Sequence, residues 1–191
     1  MSFYELLLFV HILAAAIWFG AGFLFHLQAY RADRADDAAT MQRLLADTAV
    51  LSNVLFIPAS LVVLFAGLLL VIEGPWSFGD LWIVLGLLGY AATFATGLLV
   101  IKPGSERIAT LTGSSGELTP QALYEARRML ALARIDYVAL VLVIAVMTIK
   151  PTGDDVAVLV VLAALLVAGA ALVFTRAQAL QAPAASGSAT A

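Results

Sequence analysis

Five runs of about twenty apolar residues dominate the chain, roughly at 3–29, 50–72, 81–102, 131–149 and 155–175. Each is long enough to cross a hydrocarbon core of ~30 Å at ~1.5 Å per residue. In lipid every backbone N–H and C=O must be bonded within the protein, which leaves helices or a closed barrel. Barrel strands are short and alternate in polarity, and these runs do neither. The expected fold class is all-α: a polytopic transmembrane helical bundle with five transmembrane helices. Composition agrees. Only 12% of residues are charged and mean hydropathy is +1.02, whereas a soluble domain carries about a quarter charged residues.

The first run is expected to be a retained span and not a signal peptide. Glu5, near its start, is the only charged side chain before Arg31, and the stretch from Phe3 to Tyr30 far exceeds the ~7–15 residues of a signal core. Residues 1–152 read as a four-helix transmembrane unit, 153–178 as an additional helix, and 179–191 as a disordered tail ending in "APAASGSATA". Thr119 followed by Pro120 signals a helix start that runs on into the fourth span.

Lys and Arg concentrate in two connections. The first, "RADRADDAATMQRLLADT", holds Arg31, Arg34 and Arg43; the third holds Lys102, Arg107, Arg127, Arg128 and Arg134. The second, "EGPWSFGD", has none, the fourth has only Lys150, and Arg176 follows the last span. The positive-inside rule then puts the N-terminus outside and the C-terminus in the cytoplasm of a bacterial inner membrane. Trp76 and Trp82 flank the outer turn as interfacial anchors, and Gly74-Pro75 tightens it.

Both histidines lie in "FVHILAAAIWFGAGFLFH", residues 9–26. Measured from Phe3, His11 is ~12 Å deep, Trp18 ~22 Å and His26 ~34 Å. Tyr4, Leu8, His11, Ala15, Trp18, Gly22 and Phe25, with His26 at the margin, form a face expected to point into the bundle. Leu6, Phe9, Leu13 and Phe23 are expected to meet lipid. A neutral imidazole in hydrocarbon must still satisfy a donor and an acceptor, at several kcal/mol for each left unpaired. Intramembrane ionisable groups therefore face the interior and are candidate functional groups.

Three roles are open to His11: a hydrogen bond that fixes helix packing, proton handling or ligand binding, and haem ligation. The two histidines are ~22 Å apart along one helix and cannot share a haem. A b-type haem on His11 needs a second axial ligand or an open site. Met147 is the methionine at comparable height, with Tyr4 and Tyr90 as weaker candidates. No metal site is assigned, because no cysteine, second histidine or carboxylate lies at the depth of His11. Asp136, at the height of His26 on the antiparallel fourth span, is expected to pair with it or with an arginine of the first connection. Arg134 faces the other side of its helix.

Other residues supply packing. Gly86, Gly89, Ala92, Thr93, Thr96 and Gly97, and then Ala168 to Ala171, permit close helix approach. Pro58 is expected to kink the second span, with Asn53 or Ser60 helping to satisfy the freed carbonyl. It is the one break found, so no transporter-like repeat is expected. With no Lys/Arg run and a net charge of −3, nucleic acid is not an expected partner. The lipid bilayer is, together with a second copy or a membrane-complex partner.

The order His11-x6-Trp18-x-Gly20-x-Gly22, "PASLVVLFAGLLLV", "GPWSFGDLWIVLG" and "ARIDYVALVLVIAVMTIKP" resembles domain-of-unknown-function family 2269, bacterial integral-membrane proteins, over about residues 1–152. The His-x6-Trp element is similar, more remotely, to the copper-resistance protein D group and to membrane protoporphyrinogen oxidases of the HemJ type. The latter likeness implies haem binding at the histidine matching His11. Length and charged motifs depart from that group, so its activity does not transfer and no catalytic residue is assigned. Three functions are in view: a non-enzymatic membrane or accessory protein, a haem b redox protein using His11, Trp18 and Met147, and a proton-coupled transporter using His26 and Asp136.

Overall fold

The computed structural model describes residues 2–112 and 118–180, and every regular element among them is helical. The helices are α1 (Phe3–Arg34), α2 (Ala38–Leu51), α3 (Ile57–Glu73), α4 (Leu81–Thr96), α5 (Lys102–Thr112), α6 (Pro120–Ile149) and α7 (Val156–Gln178). A π-helical turn, Ser52–Phe56, joins α2 to α3, and a second, Gly97–Ile101, joins α4 to α5. Five stretches are long and apolar enough to cross a membrane: Phe3–Arg34, Ser52–Glu73, Leu81–Thr112, Pro120–Ile149 and Val156–Gln178. The chain is therefore the five-span helical bundle its sequence predicts. From residue 181 on, the tail expected to be disordered lies outside the described residues.

Local chemistry sets the helix ends. Ser2 Oγ accepts from the Glu5 amide while the Glu5 carboxylate accepts from the Ser2 amide, a reciprocal cap at the start of α1. Thr119 Oγ1 accepts from the Ala122 amide and Pro120 opens α6, as the sequence signals. Lys150 ends α6 in the left-handed region at φ 52°, immediately before Pro151. At the start of α2, Asp37 accepts from both the amide and the hydroxyl of Thr40. Those two bonds hold its carboxyl below the usual range.

The break expected at Pro58 takes the form of a π turn, and it has a counterpart that the sequence reading missed. Ile57 donates to the Ser52 carbonyl and Lys102 to the Gly97 carbonyl, each five residues back. In both places a proline follows at once, Pro58 and Pro103. Its ring would collide with the carbonyl four residues earlier and it brings no N–H. The extra residue of a π turn relieves both conflicts without ending the helix. Ser60 Oγ donates to Ile57 O, not to the carbonyl that the proline frees. With 17 residues in α3 and 16 in α4, both breaks lie about 25 Å from the turn that joins them.

The bundle has two regimes. α1 packs on α3, α4 on α6, and α7 mainly on α6. Along these seams glycines admit neighbouring side chains: Gly67 meets His11, Gly89 meets Val143, and Gly169 meets Val138. Outward-facing Phe9, Leu13, Phe23, Leu88 and Val167 are exposed, as lipid-facing residues are. Leu8, expected inside, is also exposed, and Leu7 takes the buried place. The first and third connections are not loops over their described lengths. The end of α1, α2, α5 and the start of α6 pack Ala29, Ala32, Met41, Leu44, Ile108, Ala126, Met129 and Leu130 into one hydrophobic core. This core lies at the polar end of the molecule, where burial from water drives packing.

Candidate functional site

His11 projects from α1 onto α3. Its Nδ1 donates to the Val63 carbonyl at 2.9 Å, and a carbonyl can only accept, so the ring carries its proton on Nδ1. A Cβ at Gly67 would lie 3.1 Å from His11 Cε1, so the absent side chain is what admits the ring. Trp18, predicted to share the His11 face, is inward but meets a different helix. It packs edge-on against Tyr90 of α4, with ring centroids 5.9 Å apart.

Met147 serves the α4–α6 seam. A Cβ at Gly86 would strike its terminal methyl. His11 and Met147 thus occupy separate helix seams, and the structure does not assemble them as a ligand pair. Among the described residues no three His, Cys, Asp or Glu side chains gather closely enough to hold a metal ion.

The second histidine marks the contact between α1 and α6. His26 Nδ1 donates to the Gly22 carbonyl one turn earlier, at 3.2 Å, leaving Nε2 as a lone-pair acceptor. The ring lies against Tyr137, with centroids 4.7 Å apart. Tyr137 in turn donates its hydroxyl to the Phe19 carbonyl at 3.3 Å and packs on the Phe19 ring. Gly22 makes this approach feasible, because a Cβ there would fall on the Tyr137 hydroxyl and 3.5 Å from Phe56 in the first π turn. That π turn therefore borders the centre.

The hydrogen bond expected between His26 and Asp136 is not formed. His26 Nε2 and Asp136 Oδ1 are buried with no hydrogen-bond partner, the only such side-chain atoms among the described residues. The ring of Tyr137, one residue after Asp136, covers the imidazole instead. Buried hydroxyls behave differently: Thr48, Ser60 and Thr93 each donate to a carbonyl of their own helix. Nor does Asp136 take an arginine of the first connection. The ion pairs between the first and third connections run the opposite way, from Arg127 to Asp33 and Asp36. Tyr137 was not singled out from the sequence. Its adjacency to Asp136 in "RIDY" was the available signal.

At the opposite end, Trp76 and Trp82 pack edge to face with centroids 5.1 Å apart. Lys150 Nζ stands 4.0 Å over the Trp76 ring and 5.0 Å over that of Trp82. Trp76 Nε1 donates to Tyr4 Oη at 3.4 Å. The tryptophans expected as interfacial anchors thus also tie three chain segments together.

No match to a curated protein or to a solved structure is found. The family model described as "Predicted integral membrane protein (DUF2269)" matches residues 5–151, most of the chain. The protein therefore belongs to domain-of-unknown-function family 2269, whose members are integral membrane proteins.

Proposed function

We propose that the chain is a non-enzymatic, multi-pass protein of a bacterial inner membrane that takes up and releases a proton at the His26–Tyr137–Asp136 centre. One observation carries this reading: His26 Nε2 and Asp136 Oδ1 are buried acceptors without a donor. In low dielectric an unpaired acceptor is costly, and a proton or a protonated guest is the smallest species that relieves it. Intramembrane carboxylates and imidazoles are the groups that relay protons in membrane proteins. The π turn bordering the centre supports a functional assignment, since such turns recur at functional sites. In this reading the Lys/Arg-rich end is cytoplasmic and the N-terminus outside. α7 is an addition to a four-helix unit, supported by its packing, which is mainly on α6. Five helices make a thin wall around a pathway, so the working form is a homodimer.

The test is proton flux into liposomes containing the purified protein and a trapped pH-sensitive dye. Wild-type protein should dissipate an imposed gradient faster than empty vesicles, and Asp136→Asn and His26→Gln should each slow it at least tenfold. Equal flux in empty, wild-type and Asp136→Asn vesicles would overturn the assignment.

A second reading keeps haem b on His11, in line with the remote HemJ-type likeness. The Nδ1 bond to Val63 leaves Nε2 as the ligating nitrogen, the arrangement in which a backbone carbonyl orients a metal-bound histidine. Met147 does not fit as its partner, so this reading stands on His11 alone. A Soret band in the purified protein that is lost in His11→Ala supports it. A colourless, folded protein disposes of it.

A further inference from the structure

Away from the histidines, a cavity of about 190 Å³ opens between α6 and α7, lined by Ala131, Arg134, Val138, Gly169, Leu172, Val173 and Arg176. Both lining sets follow helical spacing: 131, 134 and 138 on α6, and 169, 172, 173 and 176 on α7. The helices run antiparallel, so the two arginines lie toward the same end of the cleft. Its other end is closed where Gly169 lets Val138 approach.

Among the described residues no acidic side chain lines the cleft. The ion pairs given by other arginines, Arg107 and Arg127, lie elsewhere. Two arginines lining an otherwise apolar cleft suit an anion that carries its own apolar body. Leu172 lines the cleft and is 53% exposed on the lipid-facing side, so the body of such a ligand can lie in the bilayer while its head enters. The volume is below the ~300 Å³ of a drug-sized pocket. It suits a headgroup and not a whole lipid.

We propose that this cleft binds the headgroup of an anionic phospholipid, with Arg134 and Arg176 gripping its phosphate. Arginine presents paired N–H donors that match phosphate oxygens. Basic pockets between transmembrane helices are where anionic headgroups seat. Once occupied, the site fastens α7 to the bundle through a lipid bridge between two arginines that form no ion pair among the described residues. This does not depend on the proton-handling reading, because the cleft lining includes none of His26, Tyr137 and Asp136. Arg134 lies near enough to His26 to act on it electrostatically, so Arg176→Gln is the variant that tests the cleft apart from that centre.

The test is native mass spectrometry of the full chain released from phosphatidylcholine nanodiscs doped with phosphatidylglycerol, with and without added inorganic phosphate. Wild-type protein should retain phosphatidylglycerol in preference to phosphatidylcholine. Arg134→Gln and Arg176→Gln should each weaken retention about fivefold. Arg128→Gln, an exposed arginine of α6 outside the cleft, should leave it unchanged. Arg176 is itself exposed, so its variant folds even if Arg134→Gln does not. Equal retention of the two lipids, or an equal loss in Arg128→Gln, overturns the proposal. So does displacement of the lipid by inorganic phosphate at millimolar concentration, which would mark a free-anion site.

Discussion

The His26 imidazole leans on the Tyr137 ring at 4.7 Å between centroids and 59° between planes, and Gly22 is the residue that allows it. Gly22→Ala sets a methyl against the Tyr137 hydroxyl, so it should destabilise the protein by about 1–3 kcal/mol. Tyr137→Phe removes that hydroxyl and its bond to Phe19, at about 1 kcal/mol. The double variant should be clearly more stable than the sum of the two losses, because the second change removes the clash made by the first. Thermal unfolding in detergent checks this, and simple additivity would mean the contact is absent.

The hydrophobic core at the polar end predicts an asymmetry between two truncations of similar size. Met41 is 2% exposed and Leu88 is 62% exposed. Met41→Ala should cost about 2–4 kcal/mol through transfer and cavity effects. Leu88→Ala exchanges one lipid-facing group for a smaller one and should cost close to nothing, since lipid tails are as apolar as leucine. Unfolding midpoints in a mild detergent separate the two.

Arg127 links the first and third connections through Asp33 at partly exposed positions, 34% and 37% for the two side chains. Screening limits such a pair to about 0.5 kcal/mol. A double-mutant cycle with Arg127→Gln and Asp33→Asn should return that coupling at low salt. It should shrink as salt approaches ~1 M, where the Debye length is ~3 Å.

Lys150 combines a left-handed backbone with a cation over two indoles. Lys150→Ala keeps the strain and loses the cation, so it should cost about 1 kcal/mol. Lys150→Gly loses the cation but relieves about 1 kcal/mol of strain, so it should be near neutral. Both variants should alter tryptophan emission. Unchanged emission would show that the ammonium does not sit on the rings.

The spans were legible because lipid imposes a length and a polarity that no other environment demands. The inward placement of His11 and the lipid exposure of Phe9, Leu13 and Phe23 followed from the same requirement. The helices outside the spans were less visible, because a search for apolar length passes over amphipathic segments. Met41, Leu44, Leu45 and Thr48 do recur at helical spacing, a signal of α2 that went unread. The stacking of Tyr137 on His26 was out of reach, because it depends on how α1 and α6 cross. Asp136 Oδ1 is buried without the hydrogen bond expected for it, since depth fixes height along a helix and not rotation about it.

The twin π turns carry one further consequence. An added residue advances a helix by ~100°. Beyond Ser52–Phe56 and Gly97–Ile101, each rod therefore presents a different flank from the one an uninterrupted α-helix would present. α2 and α5 can bring their greasy sides to a water-surrounded core while α3 and α4 hold a lipid-surrounded register. Deleting one residue from either turn would restore ordinary helical winding and swing that rod's outer half out of its seat, with the transmembrane half still in place.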